Sequence, residues 1–139
     1  MEQENSRLIQ GVYDAFEQGN IQHILDRVTG DVEWVNEGPE SIPYAGRYDG
    51  REAVPRFFQA LASTTENGRV KADELIAHGD KVVGIGRFTA KVKATGKSID
   101  VPIAHVFTIR GGKIGKWIGY ADTARVVEAY TAHGLRAAS

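Results

Sequence analysis

The chain has 139 residues, which is the size of one domain, and two domains of ordinary size would not fit. Seventeen Lys and Arg against eighteen Asp and Glu residues give a net charge of −1, which does not suggest a nucleic-acid partner, since such proteins usually carry a basic stripe. The absence of cysteine excludes disulfides, thiol catalysis and thiolate metal sites, so we expect one domain over residues 1–139 without such chemistry.

The chain begins with MEQENSR, an acidic and polar start that is unlike a secretory signal. Its longest apolar stretches are far below the roughly 18 residues that span a bilayer, so a cytoplasmic protein without a membrane partner is expected. Apolar residues then recur at helical spacing over 8–16 and, behind Asn20 as a cap, over 21–28. Two helices are predicted, the first ending at Gly19.

A short strand over 32–36 is predicted next. The segment 37–50 holds two prolines and three glycines and is therefore predicted to be a long loop. From Val54 to Leu61 the apolar residues return to helical spacing, which predicts a third helix.

The second half of the chain changes to an apolar period of two, which is typical of strands. The predicted strands cover 69–77, 81–94, 97–110 and 113–122. A last helix is predicted to start at Asp122-Thr123. Helices segregated from an antiparallel meander indicate the α+β class.

Two-residue turns are predicted at 95–96 and 111–112, since glycine there accepts a positive φ. These turns would place Arg87, Ala104 and Gly119 in one row across three strands. That sheet face carries mostly small residues and is expected to line a cavity. The opposite face carries larger apolar residues and needs a cover, which a partner subunit's sheet could supply.

Five segments, in chain order, carry a family resemblance: VYDAFEQGNIQHIL, GDVEW, IPYAGRYDGREAVPRFFQAL, HGDKVVGIGRF and AHVFTIRGGKIGKWIGYADTA. Together they resemble the SnoaL-like, ketosteroid-isomerase-related branch of the nuclear transport factor two-like superfamily. The resemblance implies a cone-shaped barrel of a strongly curved antiparallel sheet packed against three to four helices. It also implies one deep pocket for a small molecule and a homodimer formed through the outer sheet face. We expect no cofactor and no metal, because no pair of His residues has metal-ligand spacing.

Steroid isomerases of this superfamily use a carboxylate base on the first strand and an oxyanion hole made by a Tyr and a protonated Asp. The resemblance places Trp34, Val12 and Ala104 at these three positions. None of the three catalytic groups is present, so steroid isomerisation is not expected.

Two other chemistries of the superfamily also use carboxylates. Limonene-type epoxide hydrolases have an Asp-Arg-Asp arrangement, and the resemblance places Thr89, Arg87 and Gly119 there. SnoaL-type polyketide cyclases use an aspartate as acid and base on the late strands, where Asp122 is the nearest match. Asp122 could equally cap the last helix.

Arg87 stands in the middle of a mostly apolar strand, where a buried guanidinium needs a partner. The partner could be Asp73 or Glu74 on the preceding strand. It could instead be a ligand carboxylate or carbonyl, and then Arg87→Ala would abolish ligand binding in a folded protein.

Pocket-lining residues are expected on the first and third helices, the first strand, the long loop and the small-residue sheet face. They are Val12, Phe16, Trp34, Asn36, Tyr44, Phe57, Ile85, Arg87, Ala104, Val106, Trp117 and Gly119. Trp34 and Trp117 could stack on a ligand or simply pack. Asn36 could bond to a substrate oxygen or to loop backbone.

The candidate catalytic groups are Asp122, Tyr48 and His105. Tyr48, like Tyr44, lies in the long loop near the expected pocket mouth, where a phenol could donate to a carbonyl or cover the rim. His105 has an ordinary pKa suited to proton transfer. Because it lies among large apolar residues, it is better explained as a histidine at a dimer interface.

These observations favour a small-molecule pocket protein. It would be an isomerase, cyclase or hydrolase acting by acid/base chemistry on an apolar, oxygenated ring compound. The missing carboxylates favour the alternative, a non-catalytic dimer that binds or senses a small molecule.

Overall fold

A computed structural model describes residues 1–131, and the structural statements below refer to this part of the chain. Its elements are α1 (Glu2–Glu17), α2 (Ile21–Leu25), β1 (Val28–Asn36), β2 (Gly46–Asp49), α3 (Val54–Thr64), β3 (Thr65–His78), β4 (Lys81–Val92), β5 (Ser98–Arg110), β6 (Lys113–Ala121) and α4 (Thr123–Tyr130). The predicted α+β class is confirmed. None of the described helices has the length and apolar character needed to cross a membrane.

The six strands form a single sheet in the order β2-β1-β6-β5-β4-β3. The sheet does not close, so β2 and β3 are its two edges. All neighbouring strands are antiparallel except β1 and β6, which run parallel. The predicted sheet was antiparallel throughout, and the parallel pair arises because α3 and the whole meander lie between these two strands in the sequence.

Side-chain caps mark the start of two of the described helices, α2 and α4. The side chain of Asn20 accepts a hydrogen bond from the backbone N–H of His23 at 3.2 Å and starts α2. This helix is shorter than predicted, because Val28 is already the first residue of β1. The side chain of Asp122 starts α4 in the same way, accepting from the backbone N–H of Arg125 at 3.4 Å.

Strand β2 lies inside the segment that was predicted to be a loop. Its four residues, GRYD, show no apolar alternation and include a glycine, so the sequence carries no strand signal. Tertiary context forms the strand: Tyr48 pairs with Trp34 and Asp49 pairs with Glu33 of β1.

The turn between β4 and β5 is longer than predicted. The backbone N–H of Val92 donates to the carbonyl of Lys97 at 2.9 Å, which leaves the four residues 93–96 in the loop. Arg87 therefore pairs with Pro102 and not with Ala104. A shift of two residues keeps each side chain on the face it was assigned to.

The turn between β5 and β6 is correct, since Arg110 faces Lys113. Beyond it, a bulge at Gly115 shifts the register between Thr108 and Ile109. A one-residue shift moves every later side chain of β6 to the other face relative to β5.

The consequence of the bulge is that His105 pairs with Gly119, and Phe107 with Trp117. The prediction that Gly119 pairs with Ala104 is therefore wrong. Gly115 accommodates the bulge because a side chain there would collide with the guanidinium of Arg110.

The helices cover the sheet face that carries Phe88, Ile103 and Phe107, and these three side chains are buried. The opposite face is exposed to solvent: 37% of the surface of Ile85 and 48% of the Arg87 side chain remain accessible. The predicted assignment of the two faces is thus reversed for β4 and β5, whereas Trp117 and Gly119 of β6 lie on the covered face as predicted. The physical reason is that the large apolar side chains are removed from water by packing against the helices of the same chain.

Candidate functional site

A cavity lies under the helices, against the covered face of the sheet. Its volume is about 90 Å³, measured as space open to the centre of a water molecule. One water needs about 10–15 Å³ on this scale, so the cavity has room for a compound of about one ring. The predicted pocket residues that line it are Val12, Phe16, Trp34, Asn36, Tyr44, Phe57, Trp117 and Gly119.

The other predicted pocket residues, Ile85, Arg87, Ala104 and Val106, lie on the exposed sheet face and do not line the cavity. Nε of Arg87 donates to Oδ1 of Asp100 at 2.8 Å, so its partner is neither Asp73, Glu74 nor a ligand in the cavity. Both earlier interpretations of Arg87 are wrong, because both assumed a buried guanidinium.

Aromatic rings form most of the cavity wall. Trp34 and Trp117, on the parallel neighbours β1 and β6, stack with ring centroids 4.5 Å apart and an interplanar angle of 27°. Phe57 of α3 meets both rings edge-on, at 5.9 and 5.4 Å. Nε1 of Trp34 is buried without a hydrogen-bond partner in the described chain, which leaves an unsatisfied donor in this cluster.

A polar pair is set into this aromatic wall. The phenol oxygen of Tyr13 on α1 lies 2.9 Å from Nδ1 of His105 on β5. Tyr13 is 6% exposed, and His105 is half-buried and lines the cavity. The prediction that His105 occupies a dimer interface is wrong, because the covered face of the sheet is the one that carries it.

Glycine makes the room for this pair. Gly84 of β4 is the cross-strand partner of His105, and a β-carbon there would collide with the phenol oxygen of Tyr13. On the other side of His105 lies Gly119, followed by Asn36 on β1. Gly84, His105, Gly119 and Asn36 thus form one row across four strands. Each of the two polar residues in this row has a glycine beside it.

Gly119 does not leave empty space in this row. A β-carbon at Gly119 would lie 2.6 Å from the ring of Trp117 and 3.1 Å from Oδ1 of Asn36. The indole therefore occupies the volume that a side chain at 119 would take. The glycine is required by the packing of Trp117 and does not simply hollow the sheet face.

Burial lowers the pKa of His105 from 6.5 to about 3, because charging the ring in this apolar wall costs its hydration. The imidazole is therefore neutral at physiological pH. Nδ1 is the acceptor for the Tyr13 O–H, because the other tautomer leaves this buried proton without an acceptor among residues 1–131. Nε2 then carries the ring proton.

Nε2 of His105 makes no hydrogen bond within the described chain. Nε1 of Trp34 is fully buried, whereas Nε2 of His105 is accessible to a water-sized molecule. Since His105 lines the cavity, this donor is accessible from inside it. Burial likewise raises the pKa of Tyr13, which keeps the phenol protonated.

The cavity opens to solvent where its lining residues are exposed, at Glu37, Tyr120 and Ala121. Asn36 and Thr123 lie beside them in the chain and also line the cavity. Together these five residues form the mouth. The polar side chains of the mouth are those of Asn36, Glu37 and Thr123, since Tyr120 pairs with Ala104 and its side chain lies on the outer sheet face.

The remaining catalytic candidates do not line the cavity. Asp122 caps α4 and lies 3.4 Å from Nε of Arg125. The hydroxyl of Tyr48 donates to the backbone carbonyl of Tyr44 at 3.0 Å, which fixes the long loop. The structure thus favours the structural alternative for both residues. In residues 1–131, no group of three or more His, Asp or Glu side chains is placed to hold a metal.

From the sequence, Tyr13 was only a residual candidate for proton transfer and was not named as pocket-lining, and Glu37 was given no role. Tyr13 had a signal, since it is a polar-tipped residue on the apolar stripe of the first helix. Glu37 had none, because a Glu after a strand and before Gly-Pro is typical of a solvated loop.

The family model of the SnoaL-like domain matches residues 9–117 of the chain. Among solved structures, an NTF2-like protein from Burkholderia thailandensis E264 is 26% identical with a TM-score of 0.85, covering 91% of this chain and 97% of that one. TerC, co-crystallised with polyporic acid, is 25% identical with a TM-score of 0.81, covering 91% and 98%.

A protein from Jannaschia sp. CCS1, proposed as a SnoaL-like polyketide cyclase, is 19% identical with a TM-score of 0.82, covering 94% of each chain, and shares the fold. No curated protein matches the sequence. The family match spans most of the chain and agrees with the NTF2-like fold of these structures. The chain belongs to the SnoaL-like domain family.

Proposed function

We propose that the chain binds a small, largely apolar ring compound that carries an oxygen, in the cavity lined by Trp34 and Trp117. The observation that carries this proposal is the Tyr13–His105 pair set into an otherwise aromatic wall. An apolar cavity with a few convergent polar groups is the usual composition of a small-molecule site. The relative TerC was co-crystallised with polyporic acid, which supports an organic small molecule as the ligand class.

His105 sets the chemistry of the ligand oxygen. Its neutral ring presents Nε2–H to the cavity, so the matching ligand group is a hydrogen-bond acceptor such as a carbonyl. A donor held in place by Tyr13 loses little freedom on binding, which makes the bond more favourable. The ligand ring would then occupy the space beside the two indoles.

Binding without turnover is the function that this arrangement supports best. General acids and bases work best with a pKa near the operating pH, whereas the pKa of His105 is about 3. Among the lining residues that the structure describes, Glu37 is the one carboxylate, and it lies at the mouth.

An acid/base isomerase, cyclase or hydrolase is the second candidate. The observation that favours it is again the accessible Nε2–H of His105. A fixed donor in a site of low dielectric stabilises negative charge that develops on a substrate oxygen. Turnover of a bound ring ketone with loss or exchange of its α-hydrogens would favour this candidate over simple binding.

We also propose that a second copy of the chain covers the exposed sheet face. One row there is apolar across five strands: Ile76, Val83, Val106, Ile118 and Val35. Ile76 keeps 48% of its surface exposed, as Ile85 keeps 37% in the next row. Exposed apolar patches of this kind mark interaction sites. Sedimentation analysis should show a dimer, and Val106→Lys should shift it to monomer; a monomeric wild type would contradict this proposal.

The two tryptophans provide the test of ligand binding, because they are the only ones in the sequence and both line the cavity. Acetophenone, a neutral ring ketone, should shift both indole N–H resonances of ¹⁵N-labelled protein in a saturable manner. His105→Phe keeps a ring of similar shape but lacks the donor, and it should bind acetophenone about fivefold more weakly. Shifts that do not saturate in the wild type would contradict the proposed function.

A further inference from the structure

Glu37 is the single charged residue among those that line the cavity in the described chain. It follows the last residue of β1 directly, and its backbone N–H donates to the carbonyl of Gly119 at 3.0 Å. This bond extends the pairing of β1 with β6 by one residue. The Glu37 backbone is therefore held at the mouth by the sheet and not by the loop alone.

No basic side chain in residues 1–131 neutralises this carboxylate. Glu37 has no ion pair within 4.0 Å, and neither has Glu40 in the same loop. Arg125, in the first turn of α4 behind the mouth, is occupied by Asp122 at 3.4 Å. The mouth therefore carries a negative charge.

Within residues 1–131, the interior of the cavity offers no compensating positive charge. Its wall is aromatic and aliphatic, and it holds neither Lys nor Arg. His105 is neutral near pH 7, because burial lowers its pKa to about 3. An anionic ligand would lose its hydration in this wall without gaining a counter-charge, and it would pass Glu37 on entry.

We propose that Glu37 determines the charge of the ligand: besides the oxygen that accepts from His105, the ligand carries a second polar end at the mouth, which is a protonated amine or a neutral hydrogen-bond donor and not a carboxylate. The ring lies beside the indoles and the donor end points to the Glu37 carboxylate at the mouth. Asn36 adds an amide oxygen on the same side. This inference rests on the proposed binding function and adds the substrate class.

Benzylamine, benzyl alcohol and benzoate test the inference, because they share one ring and differ in the charge of the polar end. Titration of the full chain at pH 7, followed on the two indole N–H resonances, should rank benzylamine first, benzyl alcohol second and benzoate last. Glu37→Gln keeps the shape of the side chain and removes its charge. It should reduce the preference for benzylamine over benzoate about five- to tenfold, and 0.5 M NaCl should reduce it in the wild type.

Glu40→Gln is the matched control, since it removes the same charge from the same loop at a residue that does not line the cavity. It should leave the preference close to that of the wild type. Equal affinities for the three compounds, stronger binding of benzoate, or equal effects of the two substitutions would overturn the inference while leaving ring binding intact. Absence of saturable binding by all three compounds would overturn this inference, and the proposed function would fall with it if acetophenone also failed to bind.

Discussion

The phenol oxygen of Tyr13 and Nδ1 of His105 are 2.9 Å apart, which joins the first helix to the fifth strand across 92 positions of sequence. The rings are also nearly parallel, at an interplanar angle of 12°. His105 is further enclosed by the edges of Trp117 and Phe107. This hydrogen bond links α1 to the sheet and, with Nδ1 as the acceptor, leaves the ring proton of His105 on Nε2.

Removal of the phenol hydroxyl should therefore destabilise the protein. Tyr13→Phe leaves Nδ1 of His105 without its partner, and we expect a loss of about 1–2 kcal/mol in the free energy of unfolding. Urea denaturation followed by tryptophan fluorescence measures it. Tyr120→Phe is the control, because Tyr120 is 45% exposed and its hydroxyl makes no hydrogen bond in the described chain. Equal effects of the two substitutions would show that the Tyr13 bond contributes nothing.

A methyl group at position 84 should break the same contact from the opposite side. Gly84→Ala would push its β-carbon into the phenol oxygen of Tyr13, and the resulting overpacking should cost about 1–3 kcal/mol. Gly30→Ala is the control, since Gly30 is exposed on β1 with open space around its β-carbon position.

The two sites should also be coupled. In Tyr13→Phe/Gly84→Ala the colliding oxygen is gone, so the double variant should lose less stability than the sum of the single variants. Strict additivity would mean that Gly84 has another role than making room for the hydroxyl.

Stability should fall on mild acidification because of His105. The unfolded chain binds a proton at this histidine near pH 6.5, whereas the folded chain does so only near pH 3. Its contribution is therefore complete above pH 6.5 and is lost as the pH falls below it, by up to about 1.4 kcal/mol per pH unit.

Thermal unfolding between pH 7 and pH 5 tests this dependence, in a range above the titration of the carboxylates. The double variant Tyr13→Phe/His105→Phe replaces both partners by apolar rings and removes the titrating group. Its midpoint should change less over this range than that of the wild type. Parallel curves for the two proteins would contradict the low pKa of His105.

Arg87→Ala should leave the cavity unchanged. The guanidinium is half-exposed on the outer face and bonded to Asp100, and exposed ion pairs contribute about 0–1 kcal/mol. Acetophenone affinity should match that of the wild type, which is the opposite of the result expected when Arg87 was placed in the pocket. A loss of binding without a loss of folding would restore the ligand-anchor interpretation.

The helices and most strands could be predicted from the sequence, because their burial follows the periods of 3.6 and 2. The face assignment could not, since it depended on the bulge at Gly115, and a Gly within Ile-Gly-Lys gives no sign of an extra residue. The four-residue loop 93–96 changed the cross-strand partners at the preceding turn but left each side chain on its face. In both cases a register shift of one or two residues determined which side chains are cross-strand neighbours.

The candidate site was predictable where it depended on aromatic residues and less so where it depended on pairing. Trp34 and Trp117 were placed in the pocket from the fold alone. The Tyr13–His105 pair was not, because it joins elements whose relative position only the complete sheet defines. Arg87 was placed in the pocket because the small-residue face of β4 and β5 was taken as the covered one, and its partner Asp100 was missed because the loop 93–96 is longer than predicted.

The parallel pairing of β1 with β6 has a consequence for the order of folding. Trp34 and Asn36 find their strand partners, Trp117 and Gly119, only after more than half of the sequence has been made. Contacts of such long sequence separation slow folding, because the chain between them must be ordered first. The meander β3–β6 is contiguous in sequence and can form earlier. The cavity therefore cannot be complete until β6 has paired with β1, because Trp34 and Trp117 form its wall together.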